Sequence, residues 1–183
     1  LLFFELQYHH TVENSQMKKI VSALLISAVL SAPAFAASGK NNNVEINYGL
    51  DWSGVVGIQG DFDISSAVNA PIAVEAVYKN YSQSYVWFGG GYKWSYTGIG
   101  VAGIYDLSSA IKVDPKVRPY VGVGIMHLSA TYSGPNGAAN FTSPTSGGIY
   151  VTGGVKYMVT PQFAADLNYN NFGGLTIGAA LYF

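Results

Sequence analysis

From Val44 onward, hydrophobic residues alternate with polar or small ones at a period of two, which predicts strands whose two faces meet different surroundings. The first run puts Val44, Ile46, Tyr48, Leu50 and Trp52 on one side, with Glu45, Asn47, Gly49, Asp51 and Ser53 on the other. Val56, Ile58, Gly60, Phe62 and Ile64 then alternate with Gly57, Gln59, Asp61 and Asp63. After a turn at 65–71, Ile72, Val74, Ala76 and Tyr78 oppose Ala73, Glu75, Val77 and Lys79. Ile99, Val101, Tyr105 and Leu107 oppose Gly98, Gly100, Ala102 and Asp106. A long strand from Arg118 to Tyr132 carries Val121, Val123 and Ile125 on its apolar side, then meets His127 and Ser129, which suggests a bulge that switches the faces. Three more runs follow. Ile149, Val151, Val155, Tyr157 and Val159 face away from Tyr150, Thr152, Gly154 and Lys156; Phe163, Ala165, Leu167 and Tyr169 from Asp166, Asn168 and Asn170; Leu175, Ile177, Ala179, Leu181 and Phe183 from Thr176, Gly178 and Ala180.

These runs make eight strands. The aromatic segment 82–97 would add a ninth, but closed single-chain membrane barrels of bacteria have even strand numbers, so it reads as a hairpin tip prolonging the third and fourth strands. The connections at 65–71, 108–117 and 160–162 are turn-like and contain Pro71, Pro115 and Pro161. The longest irregular connection, the Gly/Pro/Ser/Asn-rich 133–147, lies at the opposite end.

Composition turns the strand pattern into a choice of surroundings. Hydrophobic residues make up 49% of the chain and charged ones only 10%, against about a quarter charged in an average soluble domain. No run after position 40 approaches the ~18 apolar residues of a spanning helix. The net charge of −1 argues against nucleic acid, and the absence of cysteine excludes disulfides and thiolate metal sites. Met17-Lys18-Lys19, the apolar run Ile20 to Leu30 and the small-x-small ending Ala34-Phe35-Ala36 form an export signal. Residues 1–16 read as an upstream extension and 17–36 as a signal peptide cleaved near Ala36, leaving 37–183 as the folded domain.

The charges choose the face. Glu45, Asp51, Asp61, Asp63, Glu75, Lys79, Asp106, Lys156 and Asp166 all oppose the apolar series. A base at a bilayer midplane costs about 2–4 kcal/mol and an acid somewhat less, so nine charges facing lipid would exceed a stability of ~5–15 kcal/mol. A two-sheet sandwich shares the alternation. The aromatic series Tyr48, Trp52, Tyr78, Tyr105, Tyr157, Tyr169 and Phe183 near strand ends, the glycine-rich inner face and the export signal favour a membrane wall. The expected fold is all-β: an eight-stranded antiparallel up-and-down transmembrane β-barrel, with turns in the periplasm and longer connections outside.

Eight strands leave room inside only for side chains or one small ligand. Seven inward acids then face two inward bases, so Glu75, Asp166 and Asp61 should gather around Lys79 and Lys156, with Glu45 in the same lumen cluster. Asp51, Asp63 and Asp106 should lie nearer water. A structural salt-bridge core is the first expectation for this cluster, and a narrow cation-preferring pore the alternative.

Arg118-Pro119-Tyr120-Val121-Gly122-Val123-Gly124 and the ending Leu181-Tyr182-Phe183 resemble the small outer-membrane β-barrel domain proteins of OmpA/OmpX type, over the whole mature chain. The resemblance implies a cell outer-membrane location in a Gram-negative bacterium, in contact with lipid and lipopolysaccharide. It also implies that barrel-assembly machinery reads Leu175, Ile177, Ala179, Leu181 and Phe183 as the assembly signal, with periplasmic chaperones as partners. A monomer is expected, without cofactor or metal. Members of the family serve as adhesins, anchors or minor pores, so the resemblance fixes no single activity.

Catalysis is not expected. His127-Leu128-Ser129 puts an imidazole and a hydroxyl on one strand face, resembling the His-x-Ser of lipid A 3-O-deacylases. The Asn expected after Ser is Ala130, no acid follows within thirty residues, and the motif lies far from the carboxyl terminus. A lipid A-modifying enzyme is therefore the remotest alternative. A structural or surface-interaction role is expected instead, with Tyr85, Trp87, Tyr92, Trp94 and Tyr96 as an external aromatic hairpin that either meets partners or forms the interfacial belt. Lys93 is nearly the only charge in the external loops, so polyanion binding is not expected.

Overall fold

Eight strands, each hydrogen-bonded to the next and the last to the first, close into one antiparallel barrel in a computed structural model. The structure describes residues 41–50, 55–87, 90–134 and 141–183, all within the compact unit Ser38–Phe183. The strands are β1 (Asn43–Gly49), β2 (Val56–Asp63), β3 (Ile72–Trp87), β4 (Gly90–Asp106), β5 (Val117–Ser133), β6 (Phe141–Met158), β7 (Phe163–Asn170) and β8 (Gly174–Tyr182). Closure comes from β1 pairing with β8 from Asn43↔Tyr182 to Gly49↔Thr176. The up-and-down barrel expected from the alternation is the observed fold. Trp52 and Asp51, the extension 1–16 and the export signal 17–36 lie outside the described residues.

The apolar series forms the outer wall. Ile99, Val123, Ile125, Ile149 and Tyr169 are each more than 60% exposed, whereas Glu45, Glu75, Lys79, Lys156 and Asp166 are less than 5% exposed. That inversion of a soluble protein's burial is what a wall between lipid and a packed bore requires. The bore has two sides. Val77, Ala102, Ile104, Tyr120, Met126 and Tyr150 pack as an apolar cluster from β3 to β6, while β1, β2, β7 and β8 contribute mainly amides and acids. Inward glycines make the crowding possible: a Cβ at Gly154 would lie 2.6 Å from both the Leu167 carbonyl oxygen and the Asn168 Cβ.

Three local expectations are corrected. The turn at 65–71 contains a one-turn helix, α1 (Ser65–Val68), ended by Asn69 in the left-handed region at φ 53°. The segment 133–147 is not all loop, because β6 begins at Phe141 and continues the pairing Tyr132↔Phe141, Thr131↔Thr142 and Ala130↔Ser143. The connection shrinks to 134–140, shorter than 107–116 at the other end of the barrel, so the longer connections do not gather at one end as expected. Finally, the bulge exists but lies in β6. Between Leu128↔Ser146 and Ala130↔Ser143 only Ser129 stands opposite Pro144 and Thr145, while β4 and β5 stay in unbroken register from Lys93↔Ser133 to Asp106↔Tyr120. Proline has no N–H for the ladder and is at home at such a bulge. The faces of β5 therefore do not switch.

The predicted hairpin tip is present as the upper halves of β3 and β4, which pair without interruption from Ile72↔Tyr105 to Trp87↔Gly90. The β2–β3 ladder stops at Val56↔Asn80, so β3 runs seven residues further, paired there with β4 alone.

Candidate functional site

Two features qualify as candidate sites: the charge cluster in the bore and the face of the prolonged sheet above it.

Lys156 on β6 is the centre of the cluster. Its register partners are Arg118 on β5 and Asp166 on β7, yet its ammonium reaches across the bore. It donates to Asp61 Oδ2 at 2.6 Å and lies 3.4 Å from Glu45 Oε2, with a further bond of 3.3 Å to Asn43 Oδ1. The Tyr120 ring lies beside it, with its centroid at 5.3 Å. Asn43 in turn donates to Asp61 at 3.0 Å, and Asn47 to Gln59 at 2.9 Å, so amides bracket the ion pairs along β1 and β2.

The expected gathering of acids around both lysines is only partly met. Asp166 accepts from the Tyr120 hydroxyl at 2.9 Å and from the Asn168 amide at 2.8 Å, not from a lysine. From there Thr176 and Asn170 continue a polar ladder on Asn168, at 2.8 and 3.2 Å. Glu75 lies directly opposite Asp61 across β2–β3, a like-charge pair that raises the demand on Lys156. Lys79 forms no ion pair within 4.0 Å among the described residues; its nearest ring is Tyr150, with the centroid at 5.9 Å. One lysine thus carries the ion pairing that was expected of two. Lys79 Nζ, Asp61 Oδ1, Glu75 Oε1 and Asp166 Oδ1 are buried without a protein hydrogen bond.

A third base belongs to the site and was missed from the sequence. Arg118, near the start of β5, stacks its guanidinium 5.5 Å from the Tyr182 ring centroid and donates to Asn41 at 2.9 Å. With Asp61, Asp63, Asp106 and Lys156 it lines a cavity of about 150 Å³ at the turn end of the bore. Asp63 and Asp106 lie at this wetter end as expected, each accepting from the backbone of its own turn, at Ser65 and Ser108. The position of Arg118 beside a proline hid its inward direction, which the even-numbered series Tyr120, Gly122 and Gly124 on β5 would have given.

The sheet face above holds a run of rings. Trp94 lies 4.7 Å from Tyr132 and 6.4 Å from Tyr96, the latter with planes at 13°; Tyr81 is 5.8 Å from Tyr96, and Tyr92 is 6.1 Å from Tyr132. The unbroken register places these rings on the same side as Lys79, Gly98 and Met126. They continue the wall of the bore, so they are not an outward interfacial belt. Asn80 bonds Thr97 at 3.1 Å beside them. The side chains of Tyr85 and Trp87 lie outside the described set. Among the described residues no group of three His, Cys, Asp or Glu could hold a metal ion.

With that geometry in hand, comparison with known proteins is specific about the fold. The family model for the outer membrane protein beta-barrel domain matches residues 22–177. The N-terminal β-barrel domain of Pseudomonas aeruginosa OprF is similar at 16% identity, covering 79% of this chain and 98% of that one, with a TM-score of 0.55. Neisserial surface protein A is similar at 22% identity, covering 78% and 95%, with a TM-score of 0.51. No curated protein matches by sequence.

Proposed function

The chain belongs to the outer-membrane β-barrel domain family, and from that premise we propose that it is a closed, non-catalytic barrel whose working surface is the prolonged sheet at its external end. The observation that carries this reading is the aromatic face of Tyr81, Tyr92, Trp94, Tyr96 and Tyr132, with Trp94 and Tyr96 still about 40% exposed. Large rings held on rigid strands supply contact area at little entropic cost. Below them the bore is filled, with Lys156 tied across it to Asp61 and Glu45, which supports an anchor more than a channel. Lipid and lipopolysaccharide surround the barrel, and the outward residues Leu175, Ile177, Ala179, Leu181 and Phe183 are proposed to serve the assembly machinery.

The test is double. A Trp94→Ala/Tyr132→Ala variant should lose attachment of expressing cells to host cells or matrix while keeping heat-modifiable gel migration. Unchanged attachment removes the surface-interaction reading. The pore reading has one observation in its favour, the acidic cavity of about 150 Å³ at the turn end. Planar bilayers at high protein load should stay silent; discrete cation-favouring steps would make the bore a conductor instead.

A further inference from the structure

The bore holds more acid than its bases can pair. Glu45, Asp61, Glu75 and Asp166 are buried there with only Lys79 and Lys156. Two of these acids meet. Glu45 on β1 and Asp166 on β7 are separated by a single strand, β8, where Gly178 pairs with Asn47 on one side and with Asp166 on the other. Any side chain at that position would collide with Glu45 Oε1. The bare glycine lets the Glu45 carboxyl lie across β8 and hydrogen-bond that of Asp166.

Two carboxylates cannot bond each other without a proton, and the donors around them are directed elsewhere. Lys156 donates to Asp61 Oδ2 and Asn43 Oδ1 and turns to Glu45 Oε2 as an ion pair. The Tyr120 hydroxyl and the Asn168 amide both donate to Asp166 Oδ2. Asn170 and Thr176 donate to Asn168, and Asn47 donates to Gln59. What remains is Glu45 Oε1 and Asp166 Oδ1, both buried and neither reached by a donor among the described residues. Two like charges in contact at low dielectric repel strongly, whereas one proton between them turns the contact into a short, charge-assisted hydrogen bond.

We infer that Glu45 and Asp166 form a proton site: one proton, held between Glu45 Oε1 and Asp166 Oδ1, is taken up from water when the barrel closes. The site does not depend on the aromatic face or on its role. The groups facing it are Asp61 on β2, Glu75 and Lys79 on β3, Tyr120 on β5, Lys156 and Tyr150 on β6, and Tyr182 on β8; of these, Lys156 and Tyr120 are bonded to the pair. Free carboxyls ionise at about 4, so at neutral pH the unfolded chain holds no proton at either residue while the folded barrel holds one. The folding constant therefore falls about tenfold for each unit rise in pH over which the pair keeps its proton.

The test is infrared difference spectroscopy at neutral pH on the barrel extracted in mild detergent, with heat-modifiable migration confirming the fold of each variant. Glu45→Gln and Asp166→Asn each keep an N–H donor between the two side chains and remove the shared proton. Wild type minus either variant should show the C=O stretch of one protonated carboxyl, and the two difference spectra should agree. Urea unfolding in lipid vesicles gives a second readout: from about pH 6 to about pH 7 the wild-type folding constant should fall about tenfold more than that of either variant. Difference spectra without a protonated-carboxyl band, a band that survives one of the two replacements, or equal pH slopes overturn the proposal. A band lost in Glu75→Gln but kept in both variants puts the proton on the neighbouring acid and overturns it as well.

Discussion

Replacing Lys156 by methionine removes the cation from the middle of the bore while nearly preserving side-chain volume. At an effective dielectric constant of about 20, unit charges separated by 2.6 and 3.4 Å attract by about 6 and about 5 kcal/mol. Those gross attractions offset the burial of Lys156, Asp61 and Glu45, which costs several kcal/mol per ion, so the intact triad adds little net stability. The single replacement is different. Both attractions vanish and two carboxylates, whose side chains are 8% and 0% exposed, lose their cation. The expected loss is about 3–5 kcal/mol, a large part of a domain's ~5–15 kcal/mol. The assay is urea unfolding of the barrel refolded into lipid vesicles, followed by tryptophan emission and by the gel shift of the folded form. The triple variant Lys156→Met/Glu45→Gln/Asp61→Asn, which neutralises the whole triad, should recover most of the loss. Unfolding of Lys156→Met at the wild-type urea concentration refutes the argument, and so does a triple variant no more stable than the single one.

The wall and the bore give further expectations in the same assay. Val123, mid-strand on β5 and 62% exposed, should tolerate arginine badly in a bilayer, with a loss of about 2–4 kcal/mol; a neutral outcome would mean that this face does not meet lipid. Gly154→Ala drives a methyl into the β7 backbone and should cost about 1–3 kcal/mol. Gly103→Ala, where an added Cβ meets nothing within 4 Å, should stay within about 0.5 kcal/mol of wild type, and equal effects of the two alanines would contradict the inward and outward assignments.

The strands of the wall were legible from the sequence because lipid and bore impose opposite chemistry on adjacent residues. The runs at 44–50, 72–79 and 163–170 could be read residue by residue for that reason. Legibility faded where that contrast ends. Residues 142–146 belong to β6 but carry only Thr, Ser and Pro, so no apolar alternation marks them as strand. The cluster was legible in membership but not in pairing. Alternation says that Lys156 points inward, and register offers Asp166 as its neighbour, yet its partners are Asp61 and Glu45 on the far side. What faces what across a bore depends on the stagger of the closed sheet, which no local pattern encodes. Arg118 and the rings of the hairpin are a different case, because the parity of Tyr120, Gly122 and Gly124 on β5 and of Gly98 and Gly100 on β4 does give their inward direction.

The Lys156–Asp61 contact joins residues 95 positions apart, on β2 and β6, which the ladder separates by three intervening strands. In an open or partly curled sheet those strands stand apart, and each charge keeps its water. Only when β1 meets β8 does the bore narrow enough to strip that water and bring the ions together. The cross-bore bridge therefore acts as a latch on the seam: opening β1 from β8 strands three charges at once, so the barrel should fail as a unit and not strand by strand.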